Sequence, residues 1–151
     1  MLRRMFRASA TYTALGLASG LSYRELTRGR EGVDFGQLSV AHTHFLVLGT
    51  VVGLIVMILE RQFRLSESRF ARSFEITWHL GVVLTALLML WTGTMTTLGI
   101  EFNEKMFAGI SGSGHILLSV SFLLLFLSLA QQLKREQEPD SARSILEEAK
   151  A

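Results

Sequence analysis

Four histidines, His42, His44, His79 and His115, are the residues of this chain whose chemistry asks for explanation. A neutral imidazole ligates haem iron, copper or zinc through one ring nitrogen. His42 and His44 form an H-x-H pair. Two positions along an α-helix are about 200° apart, so these rings point to nearly opposite faces and cannot share one metal. Zinc-type chelation wants a spacing of three or four. The pair therefore serves two sites, or one site and one structural contact. Gly49 and Gly53 lie seven and eleven residues beyond His42, within about 20° of it on the helical wheel. Such glycines admit another helix at close range, the commoner use. They equally admit a flat ring below a ligating histidine.

The elements that carry these residues are apolar and long. Leu38–Leu59, Ile76–Leu98 and His115–Leu133 are each about 20 residues, enough at 1.5 Å per residue for a hydrocarbon core of ~30 Å. A fourth block, Ala8–Tyr23, is interrupted by Thr11, Tyr12 and Thr13. Its flank of Arg3, Arg4 and Arg7 would suit a signal peptide, but no small-residue cleavage site follows, and a retained first helix is expected. The sequence predicts an all-α integral membrane protein: a four-helix bundle over residues 1–133 (helices about 8–23, 38–59, 76–98 and 115–133) and a polar tail over 134–151. Eleven basic residues fall before helix 1, between helices 2 and 3, and after helix 4, against four in the other two connections. Both termini are thereby expected on the cytoplasmic side of the membrane.

The chain has no cysteine, which excludes thiolate metal sites, iron–sulfur clusters, disulfides and c-type haem attachment. It has neither a phosphate-binding glycine loop nor a Gly-x-Ser-x-Gly elbow. The net charge of +2 comes without a basic patch interleaved with aromatics, so no nucleic-acid partner is expected.

The expected topology sets His42, His44 and His115 at one height in the outer half of the bilayer, and His79 about 20 Å away toward the cytoplasm. Ionisable residues at that depth point to function, whereas His79 is equally well explained as a hydrogen bond between helices. The expected site is His42, His44 and His115, with Gly49 and Gly53 beneath. Gly81, Thr85, Thr92 and Thr96 form a stripe on helix 3 facing protein, and Met95, near the outer histidines, offers a soft ligand. Haem b suits two axial nitrogens in an apolar slot. Copper held by His42, His44, His115 and Met95 is the alternative. Electron transfer or the sensing of haem or gas would follow; whether the chain catalyses a reaction is left open.

The run QLSVAHTHFLVLG (Gln37–Gly49), with YREL before it and GHILLS after it, resembles an uncharacterised family of small four-helix bacterial membrane proteins across most of residues 8–133. More distantly, HTHFLVLG is similar to the H-x-H helix of haem–copper oxidase subunit I, where the two histidines serve two haems on opposite faces. That subunit has twelve helices in three arcs of four. The resemblance implies that this chain is one arc and assembles as a homotrimer, His42 of one protomer and His44 of the next reaching a shared haem, with Gly49 and Gly53 at the contact. The chain departs from the pattern in lacking a histidine pair for copper, a cross-linking tyrosine and a carboxylate inside helices 2 to 4. Oxygen reduction is not expected.

Overall fold

The computed structural model describes residues 1–29 and 36–148; Arg30 and Lys150, counted in the charge bias, lie outside the described residues. Four helices form it: α1 Leu2–Thr27, α2 Gly36–Phe63, α3 Ala71–Leu98 and α4 Glu104–Glu148. A 3₁₀ turn, Leu65–Glu67, joins α2 to α3. Three of the helices, α2, α3 and the Lys105–Gln137 part of α4, are long and apolar enough to cross a membrane. The 28 residues of α2 or α3 reach ~42 Å, more than a hydrocarbon core needs.

Packing follows the chain order: α1 lies on α2, α2 on α3, and α3 on α4. Among the described residues α1 and α4 make no contact, so the helices form an open arc. The buried stripes are small and polar while the outside is apolar. On α4 the stripe is Gly114, Leu118, Ser121, Leu125, Ser128 and Gln132, repeating at four and three residues. Ile116, Leu123 and Phe126, on its other faces, are about two-thirds exposed. This arrangement is stable where the solvent is lipid and close helix approach is the reward. Helix α1 follows the same rule, burying Met5, Ser9, Tyr12, Gly16 and Ser19 and exposing Phe6, Leu17 and Leu21. Its polar residues lower its hydropathy because they face protein.

Helix α2 is α-helical over Gly36–His44, a π-helix over Phe45–Val51, and α-helical again over Val52–Phe63. The spacing of its buried residues explains the widening. Ala41, Phe45, Gly49 and Gly53 are all buried and follow at intervals of four. In an α-helix each such step drifts about 40°, so three would turn the stripe through about 120°. The i→i+5 pattern has a wider turn and takes the drift back. Its bonds are visible in Val52, whose N–H donates to the Val47 carbonyl.

Every helix is longer than expected: α1 runs Leu2–Thr27, and α4 continues to Glu148 through the segment read as a polar tail. Helix α4 begins at Glu104, eleven residues before His115, with the Asn103 side chain accepting the Met106 N–H at 3.1 Å. Such a side-chain cap satisfies one of the orphan donors of a helix start. Helices α2 and α3 each extend beyond their apolar runs and take in Glu60 and Glu75, so carboxylates do lie on the helices, near one end.

Candidate functional site

The register of the helices fixes the depth of every histidine. Gly93 meets the Leu38 backbone and Gly53 meets Trp78, which sets His44 opposite Leu87 of α3. Gly114 meets Thr85 and Gly81 meets Leu118, which sets His115 opposite Leu84. Leu84 is the midpoint of α3, so His115 lies at mid-height and not at the outer start of its helix. His79 is five and eight residues below these levels, about 8 and 12 Å, roughly half the expected separation. The early start of α3 moves His79 inward from the end of its helix.

His44 and His115 come together. Their ring centroids are 6.3 Å apart with planes at 81°. Helices α2 and α4 flank α3, and the two rings meet across the groove between them. His44 is half-buried and His115 exposed. Each ring is oriented by its own helix: His44 Nδ1–H donates to the Val40 carbonyl and His115 Nδ1–H to the Ser111 carbonyl, both at 3.1 Å. A carbonyl only accepts, so Nδ1 carries the proton in the neutral ring and Nε2 keeps its lone pair. Neither Nε2 has a hydrogen-bond partner among the described residues. An Nδ1–H held by a backbone carbonyl is the arrangement that sets tautomer and aim in metal-binding imidazoles.

His42 is not part of this pair. Both members of the H-x-H lie in the regular α-helical part of α2, so the 200° separation holds, and His42 turns the other way onto α1. It packs on Gly20 and stacks on Tyr23, centroids 6.3 Å apart, and its Nδ1 is buried without a partner. The two glycines below it belong to the same packed face. A Cβ on Gly49 would sit 2.5 Å from the Tyr12 ring, and one on Gly53 would strike Ser9. Helix α1 of the same chain fills the space that a flat ring, or a neighbouring protomer, was expected to use. Gly49 and Gly53 are packing residues.

Met95 stands eight residues above the level of His44, about 12 Å, on the last turn of α3. The copper set of His42, His44, His115 and Met95 is thus dispersed. Among the described residues no three His, Cys, Asp or Glu side chains cluster as a metal site. The threonines of α3 mostly bond back to their own helix, Thr92 to Leu88 and Thr96 to Thr92, and Thr92 shares its one hydroxyl hydrogen with Gln37 Oε1 of α2.

His79 makes the contact between helices that its isolation suggested. Its Nδ1 lies 2.8 Å from the Tyr12 hydroxyl, and its ring is 4.8 Å from that of Trp78. Trp78 in turn donates to the Leu48 carbonyl at 3.1 Å, inside the π-helical stretch, and Tyr12 meets the Trp78 ring edge-on at 5.7 Å. Neither Tyr12 nor Glu75 stands out in the sequence as a site residue. The usable signal was the buried period of α1, which sets Tyr12 in line with Ser9 and Gly16.

A family model matches residues 2–132 and is described as a protein of unknown function, DUF2871. The chain belongs to that family. No curated protein and no solved structure matches the chain significantly. The likeness to haem–copper oxidase therefore rests on the HTHFLVLG motif alone.

Proposed function

We propose that the chain is an inner-membrane protein that binds haem b between His44 and His115 and passes single electrons through it. The observation that carries this reading is the pair itself: two imidazoles from separate helices, each with Nδ1 held by a backbone carbonyl and Nε2 open, at mid-membrane depth. Two metal–nitrogen bonds of ~2.0–2.1 Å, with roughly 1 Å from each nitrogen to its ring centre, place two imidazoles on one metal with centroids ~6 Å apart. The 6.3 Å separation fits. A six-coordinate bis-histidine haem takes two protein ligands, whereas zinc and copper sites recruit three or more. When bound, the group supplies one-electron redox at its iron. Two histidine ligands leave no open position for a gas, which favours electron transfer over gas sensing.

The chain's own part is to aim the nitrogens and keep water out. Leu84 and Leu87 of α3 stand at the height of the pair, and Ile116 follows His115 on the apolar outside of α4. With α1 read as a fourth span beside the three apolar helices, the basic connections support an orientation with both termini cytoplasmic. That puts the end bearing Arg4, Arg61 and Arg72 inside. Pairing within one chain fills the site without a neighbour. A homotrimer formed through Gly49 and Gly53 would have to displace α1.

The test is an absorption spectrum of the purified protein supplied with haem, oxidised and dithionite-reduced. A Soret band with sharp reduced α and β bands is expected, lost in His44→Ala and in His115→Ala and kept in His42→Ala. A colourless protein retaining stoichiometric copper overturns the reading.

A further inference from the structure

At the basic end a cleft of about 530 Å³ opens between the start of α1 and the start of α3. Its wall includes Arg4, Ser66, Ser68, Arg72, Glu75 and, at its inner limit, His79. Arg4 closes over Glu75 with two bonds of 2.7 Å, its Nε to Oε1 and its Nη2 to Oε2, and so ties α1 to α3 at the mouth. His79 is eight residues into α3, ~12 Å from its start. In a helix of ~42 Å spanning a core of ~30 Å, that lies several ångströms inside the hydrocarbon. A half-buried imidazole therefore faces a polar cleft at membrane depth, with Nδ1 on the Tyr12 hydroxyl and Nε2 without a partner among the described residues.

We infer that this cleft is a proton port from the cytoplasm, ending at His79, and that it balances charge at the His44–His115 site. The second half rests on the haem reading. The imidazolium form of His79 would donate Nδ1–H to the Tyr12 oxygen and Nε2–H to water entering the cleft. The charged and titratable groups around it are Tyr12 and Arg4 from α1 with the Met1 amino group at its start, Glu75 and Arg72 from α3, and Glu60 of α2 beyond Arg4. The Arg4–Glu75 pair is internally neutral, which leaves His79 as the group at the cleft's inner limit able to change charge near neutral pH. Its ring lies on the helix that separates α2 from α4, about 8–12 Å below the haem pair along the membrane normal. Charges at that separation in a low dielectric feel each other. One electron added at the site and one proton bound at His79 Nε2, drawn through the cleft, leave the net charge of the membrane interior unchanged. The electron comes from a one-electron donor; dithionite supplies it in the experiment. Histidines that face water-filled cavities inside membranes serve such relays.

Because the reduced state binds the extra proton, the midpoint potential must fall as pH rises, by up to about 59 mV for each tenfold drop in proton concentration. The experiment uses the full chain in lipid bilayers with two readouts. Haem-loaded protein is titrated for potential between pH 5.5 and 8.5, and haem-free protein labelled with ¹⁵N-histidine is followed by NMR across the same range. The expected result is a pH-dependent potential that becomes flat in His79→Gln, where the amide can still bond Tyr12. A His79 imidazole that titrates with bulk pH in the haem-free protein is expected with it. In Tyr12→Phe the slope remains and its inflection moves. A His79 that neither titrates nor exchanges, or a slope unchanged in His79→Gln, overturns the proton port. Failure to bind haem with a titrating His79 removes the haem reading and keeps the port.

Discussion

His115 and His79 occupy adjacent helices at depths that differ by about five residues, yet their surroundings are opposite. His79 is paired through Nδ1 to a phenol, flanked by Trp78 and connected to a polar cleft. His115 is anchored through Nδ1 to its own backbone, and its ring centroid lies 6.3 Å from that of His44. Both are costly residues for a membrane interior. The first meets that cost with a hydrogen bond to another helix beside a polar cleft, and the second bonds only its own backbone. Two imidazoles from separate helices, each held by Nδ1 and with Nε2 unpaired among the described residues, are the observation on which the proposed haem site rests.

The sharpest way to separate the two regions is to delete one nitrogen at a time. His115→Ala or His44→Ala should lower haem occupancy at least tenfold and abolish the six-coordinate spectrum, whereas His79→Gln should leave both intact. An equal loss in all three would make the distinction between the regions false. Haem occupancy of the purified variants, read from the Soret absorbance per chain, checks this.

A glycine offers the next largest effect. A Cβ on Gly93 would strike the Leu38 backbone, which cannot move aside as a flexible side chain would. Gly93→Leu should therefore cost about 3 kcal/mol, at the upper end for overpacking, and should pry α2 from α3 just above His44. Gly109 has open space around it, and Gly109→Ala should be neutral or up to about 1 kcal/mol stabilising through helix propensity. Thermal unfolding in detergent measures both. Because the wedge acts above His44, haem binding should suffer in Gly93→Leu while the Tyr12–His79 contact survives.

The smallest effect is expected for Tyr12→Phe, which removes one hydrogen bond between helices but keeps the ring against Phe45 and Trp78. Such bonds contribute about 0.6 kcal/mol on average inside membranes. The same thermal assay should show a shift near its resolution, with the haem spectrum unchanged.

Much of this was legible in the sequence. Three apolar blocks correspond to the three helices long and apolar enough to cross a membrane, and the 200° rule alone separates His42 from His44. Depth was harder. The segment before His115 contains Gly109, Gly112 and Gly114 among serines, which lower helix propensity, so the start of α4 was set too late even though Asn103 is a good capping residue. The π-helix left a trace in the four-residue spacing of Ala41, Phe45, Gly49 and Gly53, but hydropathy does not register it. The fate of Gly49 and Gly53 depended on which helix lies over them, and nothing local to α2 says that it is α1. The cleft was invisible because it joins residues some 70 positions apart, Arg4 to Glu75 and Tyr12 to His79.

The central claim is that one chain supplies both nitrogens of one site. Native mass spectrometry of the haem-loaded protein released from detergent tests it directly. The account predicts a monomer that carries one haem, with a single ligand-bound mass, and no bound haem in His115→Ala. Haem retained only by dimers or trimers, at less than one per chain, would contradict it and return the site to a shared interface.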